Sequence, residues 1–417
     1  MLSVQPATRL KPSSARVGVA IAGGGPVGGM YELGVLRALD EAIEGLDLTN
    51  LSVYVGVSSG AFIAAALANR MSTADITRIF VTESAHDVTF RPEKFLRPAF
   101  HEFALRLASV PRVLFGWWRD VLLDPAAATA NDAINRLGAL IPTGLFDNEE
   151  IGRFLSAAFG VHGRTNDFRE LRRKLYVVAV DLDSGETICF GERGWDDVPI
   201  SRAIQASSAL PGLYPPVTIR NRQFVDGALR RTMHASVALE QGIDILIGIN
   251  PLVPFDATQA RAEGRPPASL VEGGLPAVLS QTFRTLLQSR MQVGIAKYAQ
   301  QYDDVDKLYL EPDANDAEMF FTSAFSYKAR KNVCDHAYRA TLNDLRLRSE
   351  TLGPLLARHG LRLREEVIGD AGRTLLDGMT PERRRASNTS ARLRRALDDV
   401  DSLVHQRNQQ LLRRRRR

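Results

Sequence analysis

The chain has 417 residues, of which 45% are apolar and 24% are charged, a balance typical of a globular protein with one large domain or two. Its net charge of +5 is unevenly distributed. From Pro381 onward there are twelve arginines and four acidic residues, which contribute +8 and leave residues 1–380 with −3. A mildly acidic body argues against a basic nucleic-acid groove, so we expect no specific nucleic-acid partner.

Only two cysteines are present, Cys189 and Cys334, which argues against a disulfide framework or a four-cysteine zinc site and fits a reducing compartment. Residues 1–16 lack the apolar core of a secretory signal, and every longer apolar stretch is interrupted by glycine, proline or charge. We therefore expect a cytoplasmic protein, or one peripheral to a membrane.

The first seventy residues alternate between strand and helix patterns. Residues 1–15 look disordered, residues 17–22 form a short apolar strand pattern, and a glycine-rich loop leads into a helix whose leucines recur at helical spacing. A second apolar run, residues 51–55, is followed by another helix that starts near Ala61. This order predicts a parallel sheet with right-handed crossovers.

Residues 86–145 predict an insertion of amphipathic helices, because apolar and aromatic side chains recur three or four residues apart. The aromatic members are Phe95, Phe100, Phe103, Trp117 and Trp118. This apolar stripe either packs on the core, as most do, or forms a lid that contacts lipid.

The strand and helix alternation then resumes. Further strands are predicted at 175–180, 224–226, 244–249 and 305–310, and helices at 198–209, 235–241 and 275–301. Residues 256–274 read as a linker rich in Ala, Pro and Gly. We predict an α/β fold with a mostly parallel central sheet flanked by helices, spanning residues 16–345, and a helical extension with an Arg-rich tail over 346–417.

Ser58 lies in a G-x-S-x-G motif at residues 56–60, between the second strand and its helix. This strand–turn–helix context is the one that a serine nucleophile requires. The sharp turn needs the small residues Gly56 and Gly60, and the helix amino terminus favours a developing oxyanion. A chance occurrence of so short a pattern is the alternative.

The glycine loop at residues 23–28 satisfies the dinucleotide pattern G-x-G-x-x-G. That fingerprint needs an acid at the end of the second strand, and the sequence offers none there. We favour an oxyanion hole in which Gly23, Gly24, Gly25 and Gly28 shape a loop of backbone N–H donors. The alternative is a glycine turn that has only a structural role.

Asp226 is the candidate general base, in the motif Val-Asp-Gly-Ala at residues 225–228. It ends a predicted strand, and Gly227 permits an abrupt turn. In a parallel sheet, Ser58 and Asp226 would both lie at the carboxyl ends of strands, where open α/β sheets hold their active sites. An aspartate that only caps a turn is the commoner case.

In this order, the glycine loop, the elbow and the D-G-A motif resemble the patatin-like phospholipases, over residues 15–255 and more loosely to about 345. Residues 31–39 and 206–216 are also similar to that family. The resemblance implies a Ser–Asp dyad, with Ser58 as nucleophile and Asp226 as base, in a phospholipase A or lysophospholipase type of enzyme. Because every reacting group is then a protein group, no metal or other cofactor is expected.

Two positions depart from the family pattern. Val27 stands where the family usually has Lys or Arg, and residues 232–234 read Thr-Met-His instead of Asn-x-Pro. The first departure leaves open a lipid-binding or regulatory protein with a degenerate site. His234 is more often a packed or solvated histidine than a functional one.

Other chemistries also remain open. A Ser–His–Asp triad would use His336 or His359, and the acyl group of an intermediate could pass to another alcohol or come from a thioester. The expected partner is a lipid or membrane surface. Residues 390–417 are a candidate for self-association or for an anionic partner, with a solvated tail as the default.

Overall fold

The computed structural model describes residues 1–10, 15–82, 140–262, 270–321 and 327–379, together with isolated positions between 95 and 118. The chain divides into two compact units, Met1–Leu375 and Leu376–Arg417. The first unit contains the sheet and the candidate site. Of the second, only residues 376–379 are described, so the Arg-rich tail and the candidate segment 390–417 lie outside the described residues.

A nine-stranded mixed sheet is the centre of the first unit. Its hydrogen-bonded path runs β1-β10-β9-β2-β4-β5-β8-β7, and β6 also pairs with β5. A second, two-stranded sheet joins β3 to β11. The strands are β1 (Leu2–Gln5), β2 (Val17–Ile21), β3 (Ile43–Glu44), β4 (Val53–Gly56), β5 (Lys174–Asp181), β6 (Thr187–Phe190), β7 (Val217–Ile219), β8 (Arg222–Asp226), β9 (Ile245–Ile249), β10 (Asp306–Leu310) and β11 (Arg362–Leu363).

Five central strands, β10, β9, β2, β4 and β5, are parallel to one another. Most of their side chains are apolar on both faces: in β4, Tyr54 enters one core cluster, while Val53 and Val55 enter another. Parallel strands show this near-continuous apolar pattern because helices cover both faces of the sheet. The predicted fold, a mostly parallel sheet flanked by helices, is confirmed.

Helices line both faces. They are α1 (Gly25–Ala42), α2 (Ser59–Ala68), α3 (Thr73–Phe80), α4 (Glu149–Phe159), α5 (Ile200–Ser207), α6 (Ala235–Leu239), α7 (Ala257–Ala262), α8 (Gly274–Gln301), α9 (Ala317–Phe321), α10 (Tyr327–Leu347), α11 (Ser349–Ala357) and α12 (Glu365–Ile368). The larger core cluster holds side chains of α1, α2 and α10, whereas α6 and α8 contribute to the smaller one. Among the described residues, no helix combines the length and the apolar character needed to cross a bilayer.

Strand β5 organises the part of the sheet that carries the site. Its residues Val177–Val180 pair with β6 on one edge. Since a strand has two edges, β4, which pairs with Lys174–Val177, and β8, which pairs with Ala179–Asp181, both lie on the other. Because β4 is parallel and β8 antiparallel to β5, the carboxyl ends of β4 and β8 point toward each other.

Three segments differ from the sequence expectations. Residues 2–5, expected to be disordered, form the edge strand β1 antiparallel to β10, because the buried Leu2 anchors it there. Residues 257–262 of the expected linker form α7. The expected extension begins inside the first unit, where β11 pairs with β3.

Most of the predicted aromatic insertion, including Phe100, Phe103 and Trp117, lies outside the described residues. Two described members behave differently from each other. Phe95 packs edge-on against Phe154, with ring centroids 5.9 Å apart, whereas Trp118 is exposed.

Candidate active site

Ser58 occupies a strained turn between β4 and α2. Its φ of +51° and ψ of −122° are unusual for a residue with a side chain, and such conformations persist where the surroundings enforce them. Two contacts hold the turn: the Ser58 N–H donates to Ser207 Oγ at 2.9 Å, and Ser207 Oγ donates to the Val178 carbonyl at 2.6 Å. The turn therefore presents the hydroxyl at the amino terminus of α2.

The predicted turn glycines are required by close approaches of the backbone. A Cβ at Gly60 would lie 2.5 Å from the carbonyl oxygens of Ile21 and Ala22, and one at Gly56 would lie 2.5 Å from Ala61 Cα. A Cβ at Gly227 would collide with the Val178 carbonyl. These collisions are with backbone and not with the Ser58 side chain. Gly60 lets the elbow pack against β2, and Gly227 lets the turn after Asp226 pack against β5.

Asp226 meets Ser58 at the end of β8. Its carboxylate accepts a hydrogen bond from the Ala228 N–H at 2.9 Å, and the Ser58 side chain lies near enough to favour its ionised form. Ser58 is 8% exposed and Asp226 3%. Burial raises the pKa of Asp226 to about 6, although the Ala228 N–H and the Ser58 side chain favour the ionised form. A carboxylate of this pKa is a suitable base near neutral pH.

The glycine loop lies beside this pair. A Cβ on Gly23 would be 2.9 Å from Ser58 Cβ, so the loop backbone approaches the hydroxyl closely. Within the described chain, the N–H groups of Gly23, Gly24 and Gly25 form no hydrogen bond. Gly24 is the N-cap and Gly25 the first residue of α1, where N–H groups have no partner inside the helix. They are available to an oxyanion.

Gly28 differs from the other three glycines. Its N–H already donates to the Gly24 carbonyl at 3.0 Å in the first turn of α1, so it offers no free donor. A Cβ there would lie 2.9 Å from Pro251 Cγ, which explains the glycine by packing. The sequence placed it in the loop by motif, but the helix begins at Gly25, three residues before it.

These residues form the pattern of a known family: the family model for patatin-like phospholipase matches residues 19–239. The chain belongs to the patatin-like phospholipase family. The matched residues include the glycine loop, the elbow and Asp226, so the resemblance inferred from the sequence is confirmed.

Solved structures of three other proteins are similar to this chain. VipD from Legionella pneumophila is 18% identical over 63% of this chain and 55% of its own, with a TM-score of 0.30. The type III effector ExoU of Pseudomonas aeruginosa is 15% identical over 84% and 64%, with a TM-score of 0.29. Human GIVD cytosolic phospholipase A2, bound to methyl gamma-linolenyl fluorophosphonate, is 12% identical over 82% and 59%, with a TM-score of 0.32. The chain thus spans less than two thirds of each.

The histidines considered for a triad bind other acids. His359 Nε2 is 2.6 Å from Asp306 Oδ2, at the first residue of β10 and so at the sheet edge opposite the elbow. His336 Nε2 is 2.6 Å from Asp316 Oδ2. Neither acid is Asp226, which lies beside the Ser58 side chain instead.

His234 lies against the Asp226 turn. It is buried, and its Nε2 is 3.2 Å from the Gly227 carbonyl. Burial lowers the pKa of this imidazole to about 4, so the ring is neutral near pH 7 and donates to that carbonyl. His234 therefore fixes the backbone that follows Asp226. A packing role therefore accounts for His234, which is the role that the sequence analysis favoured.

Two polar residues next to the elbow escaped the sequence analysis. Ser207 lies in residues 206–216, which the sequence analysis cited only for their similarity to the family. In the structure its Oγ accepts a hydrogen bond from the Ser58 N–H. Glu32, completely buried on α1, accepts a hydrogen bond from Ser59 Oγ at 3.1 Å, and its Oε2 finds no partner among the described residues. Burial raises the pKa of Glu32 well above its usual range and so favours the protonated acid. The sequence feature that could have indicated Glu32 is a charged residue on an otherwise apolar helix face.

Proposed function

We propose that this patatin-like domain is a serine acyl hydrolase that cleaves lipid esters, of the phospholipase A or lysophospholipase type, with Ser58 as nucleophile and Asp226 as base. Family membership supports the class of reaction. The single observation that supports the dyad is that the buried Ser58 side chain and the buried Asp226 carboxylate lie close together, beside free backbone donors.

The first half of the reaction acylates the serine. Asp226 accepts the proton of the Ser58 hydroxyl as its oxygen attacks the ester carbonyl carbon. The negative charge that develops on the carbonyl oxygen is stabilised by the N–H groups of Gly23, Gly24 and Gly25. Collapse breaks the ester C–O bond, and the proton held by Asp226 passes to the departing alkoxide.

The second half releases the acid. Asp226 removes a proton from a water molecule, whose oxygen attacks the acyl carbon; the bond to Ser58 breaks, and the proton returns to the serine oxygen. No step needs a metal or other cofactor. A second alcohol in place of water would make the protein an acyltransferase, and a thioester substrate would make it a thioesterase.

A binding or regulatory protein with a degenerate site is the competing function, because Val27 replaces the usual cation of the family. Val27 is partly buried against the core, where it adds no charge to the loop. We infer a lower preference for anionic headgroups from this, and we keep the catalytic assignment because the dyad and the free donors do not involve residue 27. In this proposal the protein reaches its lipid substrate from the surface of a membrane, without crossing it.

A fluorophosphonate probe tests the proposal. It should label the wild type and not Ser58→Ala, and mass spectrometry of phospholipids, lysolipids, acylglycerols and thioesters incubated with each protein should find free fatty acid only with the wild type. Asp226→Asn should lose hydrolysis as well. Absence of labelling in both detergent and lipid would favour the binding protein.

A further inference from the structure

Helix α8 carries an apolar face that the described chain leaves open. Leu275, Val278, Leu279, Leu286 and Val293 are between 42% and 70% exposed. With the exposed Thr282 and Ser289 they recur three and four residues apart, which places them on one side of the helix. We call these seven residues the α8 stripe. Leu287, Met291 and Tyr298, on the opposite side, are buried and hold α8 to the domain.

The charges of α8 are all of one sign. Between Gly274 and Gln301 there is no Asp or Glu, and the charged residues are Arg284, Arg290 and Lys297. Arg284 turns inward, donating to the Val253 carbonyl at 3.2 Å and lying over the Phe320 ring. Arg290 and Lys297 are exposed, each four residues beyond a member of the stripe. An apolar face on a helix whose only charged residues are cations is typical of helices that lie on anionic lipid.

Contacts of α8 place it beside the catalytic edge. Arg290 Nη1 donates to the Leu229 carbonyl at 3.1 Å, in the 3₁₀ turn that directly follows Asp226. Asn250 Nδ2 donates to Gln288 Oε1 at 3.2 Å, and the next residue, Pro251, packs on the glycine loop. A surface that meets the stripe therefore lies alongside the elements that hold the nucleophile and the base.

We propose that the α8 stripe is the docking surface through which the domain lies on an anionic lipid surface. This assignment rests on the proposed function for its purpose, since docking brings ester lipids to the site. A second copy of the chain fits the stripe less well. It would bury Thr282 and Ser289 in the seam and would bring the cations of one helix toward those of the other, with no acid on either helix to pair them.

The test uses vesicle co-sedimentation of the full chain in a Ser58→Ala background, so that binding is measured without turnover. Vesicles of phosphatidylcholine containing phosphatidylglycerol are compared with phosphatidylcholine alone. Leu279→Glu/Leu286→Glu should weaken binding to the anionic vesicles at least about tenfold, because two aliphatic contacts are lost and two repelled charges are gained. Lys297→Gln should weaken binding to the anionic vesicles only.

Leu347→Glu is the matched control. Leu347 is as exposed as the residues of the stripe, but it is the last residue of α10 and so lies outside the stripe. It should bind both vesicles like the parent. Thermal unfolding checks the fold of each variant, and Leu279→Ser/Leu286→Ser replaces the charged pair if its unfolding temperature falls.

Three results would overturn the docking assignment: no binding of the parent to anionic vesicles, undiminished binding of the double variant, or a parent dimer that the double variant converts to monomer in analytical ultracentrifugation. Failure of the proposed function looks different. The wild type would then show neither fluorophosphonate labelling nor hydrolysis of a soluble ester, while vesicle binding still responded to the stripe.

Discussion

The buried side chains of Ser58 and Asp226 are neighbours although β4 and β8, the strands that lead to them, run in opposite directions. Both strands pair with the same edge of β5. Gly56 lies opposite Val177 and Asp226 opposite Ala179, two residues or about 7 Å further along β5. The carboxyl ends of the two strands thus meet head to head, and the turns after them place hydroxyl and carboxylate together.

Activity should depend on pH through Asp226. The base must be ionised to accept the serine proton, and burial raises its pKa to about 6. We expect kcat/KM on a soluble ester to be level above pH 7 and to fall about tenfold per pH unit below pH 6. A pH–rate profile checks this, and an inflection near 4, the ordinary range of a carboxyl, would contradict it.

Asp226→Asn should be inactive yet more stable than the wild type. A raised pKa means that folded Asp226 keeps its proton between pH 3.8 and about 6 while the unfolded chain releases it, so stability falls as pH rises through that window. The loss persists at neutral pH and amounts to the order of 2 to 3 kcal/mol. Denaturant unfolding at pH 4 and pH 7 should show the advantage of the variant at pH 7 only.

Alanine substitution of the adjacent residues Ser207 and Ser208 should have opposite effects on stability. Ser207→Ala removes the acceptor of the Ser58 N–H and the donor to Val178, and should cost about 1 to 3 kcal/mol of stability together with much of kcat. Ser208 Oγ is buried and finds no partner within the described ranges, so Ser208→Ala should be neutral or stabilising. Chemical denaturation and ester turnover of both variants test this prediction. Equal effects of the two substitutions would mean that Ser207 does not hold the elbow.

Local motifs made much of the site predictable. The elbow at Ser58, the free donors of Gly23 to Gly25 and the turn at Gly227 follow from short patterns in which the backbone itself demands glycine. The central strands were predictable for a similar reason, because strands covered on both faces are apolar throughout.

Features that depend on long-range pairing were not predictable. The sequence placed Asp226 at the carboxyl end of a parallel strand, whereas β8 is antiparallel to β5 and reaches the same place from the other direction. The edge strand β1 is short, and its pairing with β10, some three hundred residues away, decides its structure. The partners of Glu32 and Ser207 likewise come from distant segments.

His336→Ala and His359→Ala should each leave most of the esterase activity. Both imidazoles bind acids other than Asp226, and His359 lies at the opposite edge of the sheet. Burst labelling by the fluorophosphonate probe and steady-state turnover measure the effect, with Ser58→Ala as the reference for complete loss. A loss as large as that of Ser58→Ala in either variant would replace the dyad by a triad.

Glu32→Gln should make folding less sensitive to pH and should stabilise the protein under alkaline conditions. Folded Glu32 is protonated because burial raises its pKa well above 4.5, whereas the unfolded chain ionises near 4.5. Wild-type unfolding therefore releases a proton, and stability declines with rising pH by up to about 1.4 kcal/mol per unit until the folded pKa is reached. Glutamine keeps an acceptor for Ser59 and cannot ionise, so this decline disappears. Thermal unfolding of both proteins at pH 5 and pH 8 checks the prediction: the melting temperatures should be similar at pH 5 and should separate at pH 8. Parallel curves over this range would mean that Glu32 is already ionised in the folded protein.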